Sequence, residues 1–149
     1  MKLRKTYKNN SGFTLIEILI VTAILTLIMG MGLFLSFDFY RGYLLGTERD
    51  LVVGVLEKAR SRALANMFET SHGVYIDSDK FILFRGNNYT AGASTNEDIP
   101  GNSIIQKSGL SEIVFVGLTG LPVVAGDITL EDGAKSKVIS INNEGRIEW

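Results

Sequence analysis

Residues 13–37 read FTLIEILIVTAILTLIMGMGLFLSF, a long apolar stretch interrupted by a single charged residue. As a helix its 25 residues would be about 37 Å long, enough to cross a hydrocarbon core of about 30 Å. The 20 residues from Ile18 to Phe37 carry no charge. The stretch is therefore predicted to be a membrane-spanning helix.

A basic leader precedes this apolar segment. Residues 1–12 contain no acid and four cations, which are Lys2, Arg4, Lys5 and Lys8. The positive-inside rule then predicts a cytoplasmic N-terminus and export of the bulk of the chain. A secretory signal peptide fits poorly, because its apolar region has about 7–15 residues and ends at a small-residue cleavage site. The sequence GLFLSFDFY, which ends the apolar run and follows it, lacks such a site.

Glu17 is the one charged residue within the apolar segment. An ionised side chain at a helix centre costs about 2.5–3.5 kcal/mol on insertion scales, and less near an end. Two interpretations stay open from position alone. The carboxylate reaches the headgroup region, or it is retained because a partner cation meets it in apolar surroundings.

Charge and cysteine content exclude several classes of protein. The 149 residues carry 15 Lys and Arg against 16 Asp and Glu, a net charge of −1. Without the four leader cations, 11 basic residues face 16 acidic ones. This balance argues against a dedicated nucleic-acid-binding protein. The absence of Cys excludes a disulfide scaffold, thiolate metal sites and a cysteine nucleophile.

The heptapeptide Ser11-Gly12-Phe13-Thr14-Leu15-Ile16-Glu17, between the basic leader and the apolar run, resembles the class III signal of the type IV pilin and pseudopilin superfamily. The resemblance implies that a membrane-embedded prepilin peptidase cuts between Gly12 and Phe13, and that Phe13 is then N-methylated. It also implies that Glu17 acts in assembly, paired with the α-amino group of a neighbouring subunit. That group would be mostly cationic at neutral pH, given an ordinary pKa near 8.

The resemblance divides the chain into three parts. Residues 1–12 are the cleaved prepilin leader, residues 13–37 the transmembrane and assembly helix, and residues 38–149 an exported globular pilin-like domain. The implied location is the cytoplasmic (inner) membrane in a single pass, with the C-terminal domain periplasmic or extracellular, and incorporation in a pilus or pseudopilus. The implied partners are the prepilin peptidase and methyltransferase, other pilin or pseudopilin subunits, and an inner-membrane assembly platform.

The exported part begins with a second helical pattern between about Leu44 and Met67. Apolar residues recur there at steps of three and four, the spacing of an amphipathic helix: Leu45, Val52, Val55, Leu56, Ala59, Ala63 and Met67. Glu48 and the cations Lys58, Arg60 and Arg62 fall mainly outside this stripe and are predicted to form a solvated face. The stripe needs a partner surface, so the helix is predicted to lie against a sheet.

Strand patterns fill the rest of the chain. The predicted strands are Gly73–Ile76, Lys80–Phe84, Ile104–Gln106, Glu112–Val116, Asp127–Glu131, Lys137–Asn142 and Arg146–Trp149. Residues 86–103 are predicted to form a long surface loop, and turn residues predict hairpins between the last three strands. The fold class is α+β: a long N-terminal helix, with a transmembrane half and an amphipathic half, packed on a small, mostly antiparallel sheet.

This exported part resembles the GspH/FimT-like minor pseudopilins and minor pilins. The resemblance rests on ARSRAL at Ala59–Leu64 and on ISINNEGRIEW at Ile139–Trp149. Some pilins of this group bind DNA through a C-terminal Gly-Arg-x-Arg motif. Here Glu148 stands where the second Arg would be, and this charge reversal weakens phosphate binding.

Candidate chemistry is sparse. Asp77 and Asp79 are calcium candidates, but their spacing lacks the glycine and distant Glu of an EF-hand, which favours a turn. His72 is the single His, and we expect it at a strand edge or helix exit rather than in a catalytic triad. We therefore expect no enzyme, no cofactor and no resident metal.

Three functional hypotheses follow. The first is a minor pseudopilin or minor pilin, a structural subunit of a type II secretion pseudopilus or a type IV pilus. The second is a DNA-binding minor pilin for natural transformation. The third is a single-span, membrane-anchored binding domain.

Overall fold

The computed structural model describes residues 12–133 and 135–149, without the side chains of residues 33–37. The chain divides into two compact units, Met1–Phe39 and Tyr40–Trp149. The helix α1 (Leu15–Leu64) contributes residues to both. The leader cations lie on residues 1–11, outside the described residues.

The first unit contains the apolar part of α1. Leu15–Gly32 has a mean hydropathy of 2.3 and none of it is buried within the protein. The hydroxyls of Thr22 and Thr26 donate hydrogen bonds to the carbonyl oxygens of Leu19 (3.0 Å) and Ala23 (2.9 Å). These polar groups are thus satisfied inside the helix, as a lipid environment requires.

The second unit contains eight named strands among the described residues. A short 3₁₀ turn, Met67–Glu69, links α1 to them. The strands are β1 (His72–Ile76), β2 (Lys80–Arg85), β3 (Glu97–Pro100), β4 (Gln106–Gly109), β5 (Glu112–Phe115), β6 (Gly126–Asp132), β7 (Lys135–Ile141) and β8 (Ile147–Glu148). The first sheet has the order β3-β2-β1-β5 and the second the order β4-β6-β7-β8, with every pair antiparallel.

The α+β class is confirmed, but the prediction of one sheet is wrong because there are two. Alternating apolar residues indicate which face of a strand is buried, but not which strand lies beside it. The prediction of an unbroken loop over residues 86–103 is also wrong. β3 lies within this range and pairs with β2, and Pro100 ends it opposite Lys80. β3 is mostly polar and ends in Pro, a composition that is tolerated at a sheet edge. It therefore lacks the alternating apolar residues by which a buried strand is recognised.

One hydrophobic core joins α1 to both sheets. Of the predicted stripe, Leu45, Val52, Val55, Leu56, Ala59 and Ala63 are buried. They pack with residues such as Phe81 and Phe115 of the first sheet and Ile128 and Ile139 of the second. The prediction is wrong for Met67, which is exposed because α1 ends at Leu64.

The cations of α1 bind loops and an edge strand. Lys58 and Arg62 both contact the Glu97 carboxylate of β3. Arg60 donates to the carbonyl oxygens of Gly120 (3.3 Å) and Glu144 (3.1 Å). The predicted solvated face is therefore wrong for Arg60 and Arg62, which are half-buried.

A buried ion pair links α1 to the second sheet. Lys107 Nζ of β4 lies 3.1 Å from Glu48 Oε1, and each side chain is only 4% exposed. Lys107 also donates to the carbonyl oxygens of Ser78 (2.8 Å) and Asn102 (3.0 Å), and the Asn102 amide donates to Glu48 Oε1 (3.0 Å). The expectation that Glu48 faces solvent is thus wrong. The helical pattern gave no sign of a cation on a distant strand that could compensate a buried carboxylate.

Aromatic side chains cover the outer face of the first sheet. A Cβ at Gly73 of β1 would lie only 2.4 Å from Phe84 Cζ, so the Phe84 ring occupies the space that a side chain would fill. Tyr89 stacks on Tyr75 with ring centroids 4.2 Å apart. The Tyr89 amide donates to Glu112 Oε1 at 2.8 Å. These contacts hold the start of the 86–96 segment against the sheet.

Candidate processing and assembly site

The Gly12–Phe13 peptide bond lies before the first turn of α1. The helix begins at Leu15, and Gly12 and Phe13 are both exposed. Among the described residues, and apart from its chain neighbours, no group lies within 4 Å of the position a Cβ would take at Gly12. A peptide bond outside a helix keeps its backbone free of helical hydrogen bonds, so a peptidase can bind it in extended form.

Thr14 and Glu17 form the start of the helix. The Glu17 amide donates to Thr14 Oγ1 at 3.3 Å, and the Ile18 amide donates to the Thr14 carbonyl oxygen at 3.2 Å. Thr14-x-x-Glu17 has the sequence of a capping box, in which the first hydroxyl accepts from the amide three residues on. The observed bond assigns the N-cap role to the Thr14 hydroxyl, a role that was not predicted from the sequence.

The Glu17 carboxylate is exposed in the first turn of α1. A negative charge in a first turn is favoured by the helix dipole. Exposed apolar side chains surround it along the helix, Leu15 and Ile16 before it and Ile18 and Leu19 after it. A lipid or protein surface that covers these side chains would therefore also enclose the carboxylate, which would then need a cation.

The calcium candidates lie in the β1–β2 turn. The Ser78 amide donates to Asp77 Oδ1 at 2.7 Å, and the Gly101 amide donates to the Asp79 carbonyl oxygen at 2.8 Å. The neighbouring Asp98 binds Lys80 at 2.8 Å. Among residues 12–133 and 135–149, no three His, Cys, Asp or Glu side chains lie close enough together to hold a metal ion. The expectation that Asp77 and Asp79 serve the turn, with no resident metal, stays a prediction.

His72 is fully buried at the start of β1. Its Nε2 lies 2.9 Å from the Met67 carbonyl oxygen, and its Nδ1 has no hydrogen-bond partner among the described residues. The ring thus supports the 3₁₀ turn that follows α1.

The C-terminal hairpin carries the Gly-Arg sequence related to DNA binding. Arg146 Nε lies 3.0 Å from Glu148 Oε1, and both side chains are exposed. The intrachain carboxylate partly neutralises the charge that a phosphate would need.

Comparison with known proteins gives one family match. Residues 7–33 match the family described as "Prokaryotic N-terminal methylation motif". No curated protein and no solved structure matches the chain. The matched residues include the Gly12–Phe13 bond, Glu17 and most of the apolar segment, which are the features described above. This match supports the resemblance of the N-terminal segment to the class III signal of the type IV pilin-like superfamily.

Proposed function

We propose that the chain is a minor pseudopilin or minor pilin, a structural subunit of a type II secretion pseudopilus or a type IV pilus. Prepilin peptidase cuts it between Gly12 and Phe13, and the new Phe13 terminus is N-methylated. Its N-terminus is cytoplasmic before assembly and its second unit is periplasmic or extracellular. It acts by assembly and has no catalytic role.

The observation that carries this proposal is the exposed apolar helix with one carboxylate in its first turn, directly after an accessible Gly12–Phe13 bond. Exposed apolar side chains along a membrane-length helix need lipid before assembly, and lipid or other helices afterwards. After cleavage, the α-amino group of Phe13 is a cation that lies at nearly the same depth in the membrane as the Glu17 carboxylate. Paired across subunits, the two charges offset each other's desolvation and fix the axial register.

The DNA-binding hypothesis receives less support. The exposed Arg146–Glu148 pair and the acidic balance of residues 13–149 both oppose phosphate binding. The third hypothesis, a membrane-anchored binding domain, predicts the same apolar helix. An experiment is therefore needed to separate it from the proposed function.

The experiment substitutes Glu17 in the full chain, in host cells that assemble filaments. Glu17→Gln keeps a side chain suited to a capping box and removes the charge, whereas Thr14→Val removes the capping hydroxyl and keeps the charge. We expect Glu17→Gln to remove the chain from the sheared filament fraction and Thr14→Val to leave most of it there. Absence of the unmodified chain from the filament fraction would support a plain membrane anchor instead, whereas equal incorporation of Glu17→Gln and the unmodified chain would refute the assembly role of the Glu17 charge.

A further inference from the structure

Five exposed apolar side chains lie where α1 ends beside the first sheet. They are between 40% and 70% exposed and are called the α1-end patch: Leu64, Met67, Phe68, Leu118 and Leu121. The Leu118 amide donates to the Ala63 carbonyl oxygen at 2.9 Å, and a Cβ at Gly120 would lie 2.6 Å from Leu64 Cγ. The loop that follows β5 is thus packed on the end of α1. Together these side chains expose roughly several hundred Å², the size at which apolar patches mark interaction sites.

Backbone strain is concentrated at the same place. Among the described residues, those other than glycine with positive φ are Asn66, Phe68, Glu69 and Leu118, with φ values of 47°, 58°, 53° and 67°. Asn66 is a common residue for ending a helix in this conformation. For Phe68 and Leu118, however, the left-handed region costs about 1–2 kcal/mol each. The fold therefore maintains two large apolar side chains in exposed positions through unfavourable backbone conformations, a feature that clusters at functional sites.

Arg85 gives the patch its charge. Its guanidinium carbon lies 3.4 Å from the centroid of the Phe68 ring. In the part of the chain that the structure describes, no carboxylate pairs with Arg85. A guanidinium stacked on an aromatic ring keeps its in-plane N–H donors available, and it is weakly hydrated. The group that fits this arrangement is a carboxylate beside an apolar side chain.

The size of the patch narrows the kind of partner. A stable complex between two free proteins buries about 800 Å² on each side, more than this patch exposes. A smaller contact suffices where two chains are already held side by side, because the effective concentration is then high. In the proposed filament the apolar helices hold the chains in this way.

We propose that the α1-end patch binds a neighbouring subunit of the filament, through a segment of that subunit in which a carboxylate lies beside an apolar side chain. The carboxylate binds Arg85, and the apolar side chain packs on Phe68 and Leu118. This inference rests on the proposed function, since it needs a filament.

The test places the photo-cross-linker p-benzoylphenylalanine at Leu118 in the full chain, in host cells with assembled filaments. We expect an adduct with a second chain that carries a class III signal, mapped to a peptide with Asp or Glu next to an apolar residue. Phe68→Ser and Arg85→Glu should each lower the adduct yield about thirtyfold, the size expected for loss of an interface hot spot. Ile104→Ser is the matched control, because Ile104 is 69% exposed and lies in the turn whose Asn102 contacts Glu48.

Adducts that form only with lipid or within the chain would overturn the inference, as would yields unchanged by Phe68→Ser and Arg85→Glu. Circular dichroism checks that each variant is folded. If Phe68→Ser does not fold, Arg85→Glu provides the test, because Arg85 is exposed. Arg85→Lys keeps the charge without the planar fork and should restore part of the yield. A methylated Phe13 and filament incorporation without the adduct would overturn this inference alone, whereas retention of residues 1–12 would overturn the proposed function as well.

Discussion

Removal of either partner of the buried Glu48–Lys107 pair should destabilise the second unit strongly. In Glu48→Gln, the Lys107 ammonium keeps its two carbonyl acceptors but loses its counterion in a site that is 4% exposed. Removal of one partner of a buried pair costs about 3–5 kcal/mol, and the two remaining acceptors place the expected value near the lower end. A loss of about 3 kcal/mol is a large part of the 5–15 kcal/mol typical of a domain.

The double variant Glu48→Leu with Lys107→Met separates the charge pair from simple packing. Replacement of both partners of a buried pair by apolar residues is often about neutral, so we expect the double variant to be more stable than either single variant. The assay is urea unfolding of the full chain in detergent, followed by tryptophan fluorescence and circular dichroism. Glu48→Leu and Lys107→Met alone complete the double-mutant cycle. A cost below about 1 kcal/mol for each, or additive costs in the double variant, would show that the two charges are not coupled.

Two further predictions concern the same unit. Hydrogen bonding to Lys58, and then to Arg62, holds the pKa of Glu97 below its usual value, against the opposing effect of burial. The stabilisation by ionised Glu97 is therefore fully present above the unfolded pKa of about 4.3. It is lost as the pH falls through the lower pKa of the folded state. Glu97→Gln should therefore reduce the fall in Tm between neutral pH and pH 3, and an unchanged pH profile would contradict this. Gly73→Ala should lower Tm, because the added Cβ would lie 2.8 Å from the Ile113 carbonyl oxygen. Gly54→Ala should instead stabilise the protein by about 0.5–1 kcal/mol, because Gly54 lies in mid-helix and no group of the described residues lies within 4 Å of the added Cβ. Equal effects of the two glycine substitutions would show that the Gly73 contact carries no weight.

Local patterns were sufficient to predict the elements that depend on neighbouring residues in the chain. The apolar run predicted the first part of α1, and the three- and four-residue spacing of Val52, Val55 and Leu56 predicted the buried stripe of its second part. The hairpins β6–β7 and β7–β8 followed from turn residues between short alternating strands. In each case, the signal and the structure it predicts lie within about twenty residues of each other.

Contacts between distant residues could not be predicted in this way. Glu48 and Lys107 are separated along the chain by three strands of the first sheet, β1, β2 and β3, and the loops between them. Each resembles an ordinary surface residue in its local pattern. β3 was missed for a related reason, because its pairing with β2 uses backbone groups that every residue carries. At the candidate site, Gly12, Phe13 and Glu17 were found by resemblance, whereas the capping role of Thr14 needed the observed hydrogen bond.

The most direct test of the central claim is the intact mass of the chain purified from cells with an active prepilin peptidase. We expect a single mature species that begins at Phe13 and carries one added methyl group on its α-amino nitrogen. In cells that lack the peptidase, the same chain should retain residues 1–12 and be absent from filaments. A full-length mass in peptidase-positive cells, with residues 1–12 still present, would contradict the account.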